Sequence, residues 1–434
     1  MSVLSGCSSS SQSVQSNKES SPSGETSTDE TTPETVTYWC FSEFYIPFME
    51  LVEESWNEKH PEQPVIIEST NYPTEECHSK LLIALQSGTG APDIADIEAS
   101  LFQNFLKGEP QFLSLNSIVE PELDKIVRSR VDMYSKDGVF YGIDTHVGAS
   151  VMYYNTEILE NAGIDYRDLV TWDDFVSAGK TVKEKTGAYM TTWETKDTHA
   201  FLPLVSELGG SCLTEDDQFN IDSPEVIEAL TFQQNTVKDG IACVAPGGGH
   251  HAEEYFGFMN DGGSASICIP VWYVGRFTDY MPDLKGKIAV APNPVFEVGE
   301  PRSVGLGGTG TVITNQAKNP DLCLKLLYDY KLSDEGCARF WTDLGVDPIK
   351  TTLWHDESIT KVHNIYNDYF VEGTIWDTLV EIEDEIPALV YTSKYTAMYN
   401  KLTTTVFYRV LENMEDPATV VKEEQEALNK EYTE

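Results

Sequence analysis

Between residues 36 and 97 the hydrophobic pattern switches repeatedly between two periods, and few folds accommodate that alternation. Val36-Thr37-Tyr38-Trp39-Cys40-Phe41 is a β-branched and aromatic run that reads as a buried strand. Phe44, Phe48, Leu51, Val52 and Trp56 then recur at helical spacing, with Ser42 as a cap ahead of them and Pro61 and Pro64 as a stop. Residues 65–68 give a second strand, 74–86 a second helix ended by Gly88-Thr89-Gly90, and 93–97 a third strand. Strand, helix, strand, helix, strand with short connections predicts a parallel sheet covered on both faces, so the fold class is α/β.

In open sheets of this kind ligands lie beyond the carboxyl ends of the strands. That rule selects Phe41, Glu43 and Tyr45 after the first strand, and Asp96 and Glu98 at the end of the third. An aromatic ring beside a carboxylate suits a sugar, because the ring covers an apolar C–H face and the carboxylate accepts paired hydroxyl bonds. Each residue also has a structural reading: Phe41 as core, Glu43 as a solvated carboxylate at a helix N-terminus.

Residues 141–155 form an extended, aromatic-ended stretch broken by Gly142 and Gly148, lying between two long mixed regions. A strand-like crossover of that kind predicts two lobes at a fixed spacing with a cleft between them. The chain carries 29 basic and 71 acidic residues, a net charge of −42, which argues against nucleic acid or an anionic membrane surface as a partner. A neutral or cationic ligand follows. Eight cysteines in 434 residues show neither a paired framework nor a zinc ribbon.

Leu4-Ser5-Gly6-Cys7 resembles a bacterial lipobox, in which the Cys7 thiol carries the lipid; the charged and apolar parts of a secretory leader are expected upstream of Leu4. Residues 1–35, rich in Ser, Thr, Glu and Gln, then read as a solvated tether, so the only contact with a membrane is expected through that anchor.

Several motifs recur in a fixed order. They are Gly90-Ala91-Pro92-Asp93-Ile94, Tyr141-Gly142-Ile143 with Tyr154-Asn155, and Ala162-Gly163-Ile164 with Thr171-Trp172-Asp173-Asp174-Phe175. Later come the run from Val304 to Gly310, then Lys318-Asn319-Pro320 and Leu332-Ser333-Asp334-Glu335-Gly336. In this order the chain resembles the family 1 extracellular solute-binding proteins of bacterial ABC transporters, a group that includes maltose-binding-like proteins. The resemblance implies a two-lobed periplasmic-binding-protein-like fold with discontinuous lobes joined by a β-rich hinge. It also implies a monomer that closes on an oligosaccharide and presents it to ABC transporter permease subunits, without cofactor or metal. By position it implies ligand contacts from His146 in the hinge, from His199 with Trp193 nearby, from Trp272 beside Tyr273, and from Tyr391 and Tyr395. Where maltose-binding relatives carry an Asp-Arg pair this chain has Ser100-Leu101, which favours a pentose or mannose oligomer over starch fragments.

With residues 287–292 read as the return crossing, the expected organisation is 36–145 and 289–332 in lobe 1, and 146–288 and 333–434 in lobe 2. Gly305-Leu306-Gly307-Gly308-Thr309-Gly310 fits a dinucleotide fingerprint, but a strand-like run follows where phosphate binding needs a helix. Gly307 and Gly308 are instead expected to let backbone approach the ligand. His250-His251-Ala252-Glu253-Glu254 lacks the helical spacing of a zinc protease and reads as a loop. A carboxylate pair acting on a glycosidic bond, or a non-sugar solute, stay open as alternatives.

Overall fold

The computed structural model describes residues 32–432; Cys7 and nearly all of the expected tether lie outside the described residues. The first lobe is built on a four-stranded sheet of order β11-β3-β1-β2, where β1 is Glu34–Cys40, β2 Val65–Asn71, β3 Ile94–Glu98 and β11 Thr309–Ile313. β1 runs parallel to β2, from Glu34 against Val65 to Cys40 against Asn71, and parallel to β3; β11 is antiparallel to β3. Side chains alternate across a strand, so Val36, Tyr38 and Cys40 face the helix Tyr45–Lys59 through Phe48, Met49, Val52 and Trp56. Ala95 and Ile97 of β3 pack on the other face, with Leu81 and Leu85 of the helix Thr74–Ser87. Ser42 does not cap through its side chain; its carbonyl accepts the Tyr45 N–H at 3.2 Å, and the helix starts without a side-chain cap.

After a small hairpin, β4 (Ser135–Lys136) with β5 (Val139–Phe140), the chain crosses to the second lobe. There β6 (Ser150–Asn155) is the centre of a three-stranded antiparallel sheet between β10 (Ile288–Ala291) and β9 (Ser266–Pro270). β7 (Thr191–Trp193) and β8 (Ala242–Val244) pair in parallel beside it. The helix Trp172–Thr186 opens with a reciprocal capping box, Thr171 against Asp174.

The return crossing sits later than expected. Residues 288–291 stay in the second sheet as β10, and the chain passes back at residues 303–308, where Val304 O accepts from Ser150 N and Leu306 N donates to Gly148 O. The glycine is required there: Gly148 has φ +64°, and a Cβ on it would lie 2.1 Å from Leu306 O. A third segment joins them, with Gly305 bridged to Ala388. The C-terminal part is also shared. The helix Asp334–Leu344 packs on the first lobe, with Phe340 against Phe48 at 4.9 Å and Arg339 reaching Leu51 O, whereas Tyr395–Lys401 and Pro417–Glu431 complete the second lobe's core. A helix following the crossing in sequence can still pack back across it, because the apolar stripe and not the chain order decides its partner.

Asp347 ties the hinge together, accepting from Gly148 N at 3.1 Å and Ala149 N at 2.9 Å while fully buried. Burial pushes its carboxyl up to about 7, against the pull of those two amides. A carboxyl raised on folding stabilises the protein fully below its unfolded value of about 4, and that contribution is lost as pH rises through about 7. Between pH 5 and pH 8 the loss is roughly 2–3 kcal/mol. Urea denaturation of the wild type and Asp347→Asn should diverge in pH slope by that amount across this interval; parallel profiles would rule the assignment out.

Candidate functional site

The carboxyl ends of β1 and β3 and the loop after β7 meet the hinge strands from opposite sides, enclosing two cavities. The first, of about 330 Å³, is lined by Phe41, Phe44 and Tyr45 of the first lobe, His146 of the hinge, and Trp272 and Arg276 of the second lobe. The second, of about 340 Å³, is lined by Glu98, Ser100 and Leu101 on one side, Gly307 at the hinge, and Asp197, His199, Tyr391, Tyr395 and Tyr399 on the other. They meet at a partition. Trp272 Nε1 donates to Leu306 O at 3.2 Å, the His199 ring lies 5.0 Å from the Trp272 ring, and a Cβ on Gly307 would lie 3.5 Å from Trp272 Nε1 and 4.0 Å from His146. Each cavity falls within the ~300–1,000 Å³ typical of small-molecule sites.

Nine of the fourteen expected ligand residues therefore line one cleft: Phe41, Tyr45, Glu98, His146, His199, Trp272, Gly307, Tyr391 and Tyr395. Five do not. Glu43 is exposed outside both cavities. Asp96 is buried beneath the sheet, accepting from Tyr38 OH and from Thr311 Oγ1 at 2.6 Å. Trp193 has no exposed surface, because β7 is covered on both sides, and its Nε1 donates to Thr236 Oγ1 at 2.8 Å. Tyr273 is likewise core and donates to His250 O; the single turn Val271–Tyr273 that aims Trp272 at the cleft turns its neighbour inward. Gly308 serves the fold: its φ is +134°, and a Cβ there would lie 2.4 Å from Arg130 Nη2 and 2.7 Å from Asp144 Oδ2.

That buried pair supports the cleft wall. Arg130 and Asp144, both 0% exposed, form an ion pair, and Arg130 Nη2 also donates to Gly307 O at 2.6 Å. Asp144 accepts in addition from Tyr134 OH at 2.9 Å, Thr145 N at 2.8 Å and Thr309 N at 2.8 Å. Burial alone would raise its carboxyl, but the facing guanidinium, together with His146 and the bonds from Thr309 and Tyr134, outweighs burial and holds it below the ordinary range.

Neutral and charged groups alternate across the cleft. Burial pushes His146 down to about 4, so its ring is neutral near pH 7, and its Nδ1 has no hydrogen-bond partner among the described residues. Burial works against protonation of His199, but Asp197 and Glu194 overcome it and push the ring up to about 9. The Glu98 carboxylate accepts from Ser100 Oγ at 2.8 Å, which holds it at the cleft wall. Tyr391, Tyr395 and Tyr399 form a ladder, with ring centroids 4.8 Å and 6.3 Å apart in succession. Stacked rings beside carboxylates and neutral acceptors suit a neutral, hydroxyl-rich ligand.

Sequence reasoning missed Asp197, Tyr399, Phe44 and Arg276. Asp197 was within reach of the same rule applied to the second lobe, since it follows the carboxyl end of β7. Tyr399 lies four residues after Tyr395, one helical turn along. His250 is wholly buried against Tyr255 and bonded to Thr192 Oγ1 at 2.9 Å, while exposed His251 stacks on Trp272 at 5.7 Å. The glycine run ends inside β11, with Gly310 as the strand's second residue, so it opens no helix. The seven described cysteines are all unpaired, and among the described residues no helix is long and apolar enough to cross a membrane.

A family model described as bacterial extracellular solute-binding protein matches residues 42–336. The arabinooligosaccharide-binding protein of Halalkalibacterium halodurans is 43% identical over 393 residues, 90% of this chain and 88% of the relative. A protein of the same description from Bacillus subtilis is 41% identical over 387 residues, 88% and 86% of the two chains. Among solved structures, the sugar-binding protein MalE from Xanthomonas citri matches with a TM-score of 0.78 at 20% identity, covering 91% of this chain and 96% of that one. The GacH receptor of Streptomyces glaucescens matches at 0.72 and 18%, covering 92% and 98%. These likenesses show the two-lobed fold.

Proposed function

Because the chain belongs to the bacterial extracellular solute-binding protein family, we propose that it is the oligosaccharide receptor of an ABC importer, closing its lobes on the sugar and presenting it to a permease. The observation that carries this reading is the cleft itself: Trp272, the tyrosine ladder and Phe41 offer ring faces, and Glu98, His146 and Asp197 lie between them, drawn from both lobes. A ligand that touches both walls favours the closed form by the difference in its affinity for the two forms, so capture and signalling are one event. The relatives' names, at 43% and 41% identity, make arabinose oligomers the first candidates, in line with the missing Asp-Arg pair. We place the receptor outside the cell as a monomer held by a lipid on Cys7; a Cys7→Ala precursor should then be released to the medium.

Calorimetric titration with arabino-, xylo-, manno- and malto-oligosaccharides tests the ligand. Saturable binding of the arabinose series is expected, with the sugars recovered intact. Absence of binding by any sugar would sink the reading, and shortened products would shift it to a glycoside-active enzyme, in which two cleft carboxylates would act as acid and nucleophile or base.

A further inference from the structure

We propose that Glu194, Asp197 and His199 form a divalent-cation site on the second-lobe wall of the cleft, of the zinc or manganese class, whose open coordination positions take ligand hydroxyls. One donor atom from each residue lies within 4.8 Å of the others. The spacings discriminate between two readings. His199 Nδ1 is 3.3 Å from Asp197 Oδ1 and 3.6 Å from Glu194 Oε2. Charge-assisted hydrogen bonds close to about 2.7–2.9 Å. Two ligands each about 2.0–2.1 Å from one tetrahedral zinc stand about 3.3–3.4 Å apart. Both distances from His199 Nδ1 are nearer the second spacing than the first.

Unpartnered buried atoms point the same way. Glu194 is 3% exposed, and its Oε2 has no hydrogen-bond partner among the described residues, nor has His199 Nδ1. A buried carboxylate oxygen without a hydrogen bond costs about 1–3 kcal/mol, more when charged, and a divalent ion that displaces the His199 proton would bind Glu194 Oε2 and His199 Nδ1 at once. Behind the cluster lies a positioning layer of the kind that orients metal ligands. Glu194 Oε1 accepts the His250 N–H at 3.0 Å and faces His250 Nδ1 at 3.5 Å, while His250 is fixed through Nε2 to Thr192 Oγ1 at 2.9 Å. Asp197 Oδ1 is held by the Thr198 N–H at 2.7 Å. One imidazole with two carboxylates suits zinc or manganese and is a poor set for calcium, which prefers oxygen throughout. Asp197 and His199 both line the cleft cavity, so the positions not filled by protein open toward the sugar. Only this last element rests on the oligosaccharide reading.

The test is calorimetry on the full chain, stripped with chelator and titrated with zinc chloride or manganese chloride, and cobalt(II) absorption on the same sample. Stoichiometric binding of one ion is expected, with visible d–d bands from cobalt in a low-symmetry N/O site. His199→Gln and Glu194→Gln should each weaken it by at least ~10-fold. Their folds are checked by circular dichroism, and the cobalt spectrum of the wild type stands even if a variant misfolds. No ion binding, or binding that both folded variants retain, overturns the site. Sugar titrations with and without zinc then address the open positions. A ~10-fold or greater gain in sugar affinity with zinc supports hydroxyl coordination, and identical affinities overturn it. Zinc binding in a protein that takes no sugar would count against the oligosaccharide reading and leave the cation site standing.

Discussion

Trp272→Ala is expected to weaken oligosaccharide binding by about two orders of magnitude while leaving the fold intact. The indole is half-buried at the partition between the two cavities, held by its Nε1 bond to Leu306 O and flanked by His199 and His251. It is thus presented rigidly, and a rigid ring that loses water only when a sugar covers it acts as an interface anchor. Truncating such anchors costs ~2–4 kcal/mol, and each 1.4 kcal/mol is tenfold in affinity. Calorimetry reads the affinity and thermal melting of the ligand-free protein reads the fold. Unchanged affinity would remove Trp272 from the site, and a collapsed melting curve would make it a packing residue. Tyr273→Phe is the internal contrast. Its ring is wholly buried and its hydroxyl bonds a carbonyl, so it should cost stability and leave affinity nearly untouched.

Asp144→Asn should destabilise the protein by ~3–5 kcal/mol, because it leaves the Arg130 guanidinium buried with its one carboxylate partner gone. For a chain of this length that corresponds to a melting point lower by roughly 4–6 °C. The loss should reach the cleft as well. Arg130 also donates to the carbonyl of Gly307, which forms part of the wall between the cavities. The double replacement Arg130→Met with Asp144→Asn separates charge from packing. If the cost lies in the stranded charge, the double variant regains stability over Asp144→Asn alone. A double variant at least as unstable as the single would locate the cost in the bonds to Tyr134, Thr145 and Thr309 instead.

The first lobe was legible because each of its elements announces itself locally. Val36, Tyr38 and Cys40 alternate, Phe48, Val52 and Trp56 recur at a turn's spacing, and Gly88 ends a helix with φ +72°. The cleft was legible where a residue follows a strand end, as with Phe41, Tyr45 and Glu98. It was not legible where facing depends on one turn of chain. Trp272 and Tyr273 are adjacent, and nothing in their types says which one looks outward. Asp96 misled for a related reason. It alternates on the strand toward Tyr38 and Thr311, so the pleat sends it into the lobe while its neighbour Glu98 lies at the strand's end. The return crossing was misplaced because β10 is as apolar as a crossing strand would be, and pairing partners are decided by the whole sheet. Arg130 carried no local signal at all, since its partner Asp144 lies 14 residues on, outside the spacing of a helix turn, and a buried arginine reads like any surface one.

The edge position of β11 has a consequence for how the molecule assembles. β11 closes the outer side of β3, yet more than two hundred residues separate them, most of the second lobe intervening. Pairings so remote form slowly, because the loop entropy is lost before the contact repays it. Until residue 313 has arrived, the first lobe presents the backbone of β3 as an unpaired edge, the kind of surface on which chains join one another. The first lobe's sheet is therefore complete only once residues 309–313 are in place, and a chain cut short within the second lobe would be an aggregation hazard, not a working half.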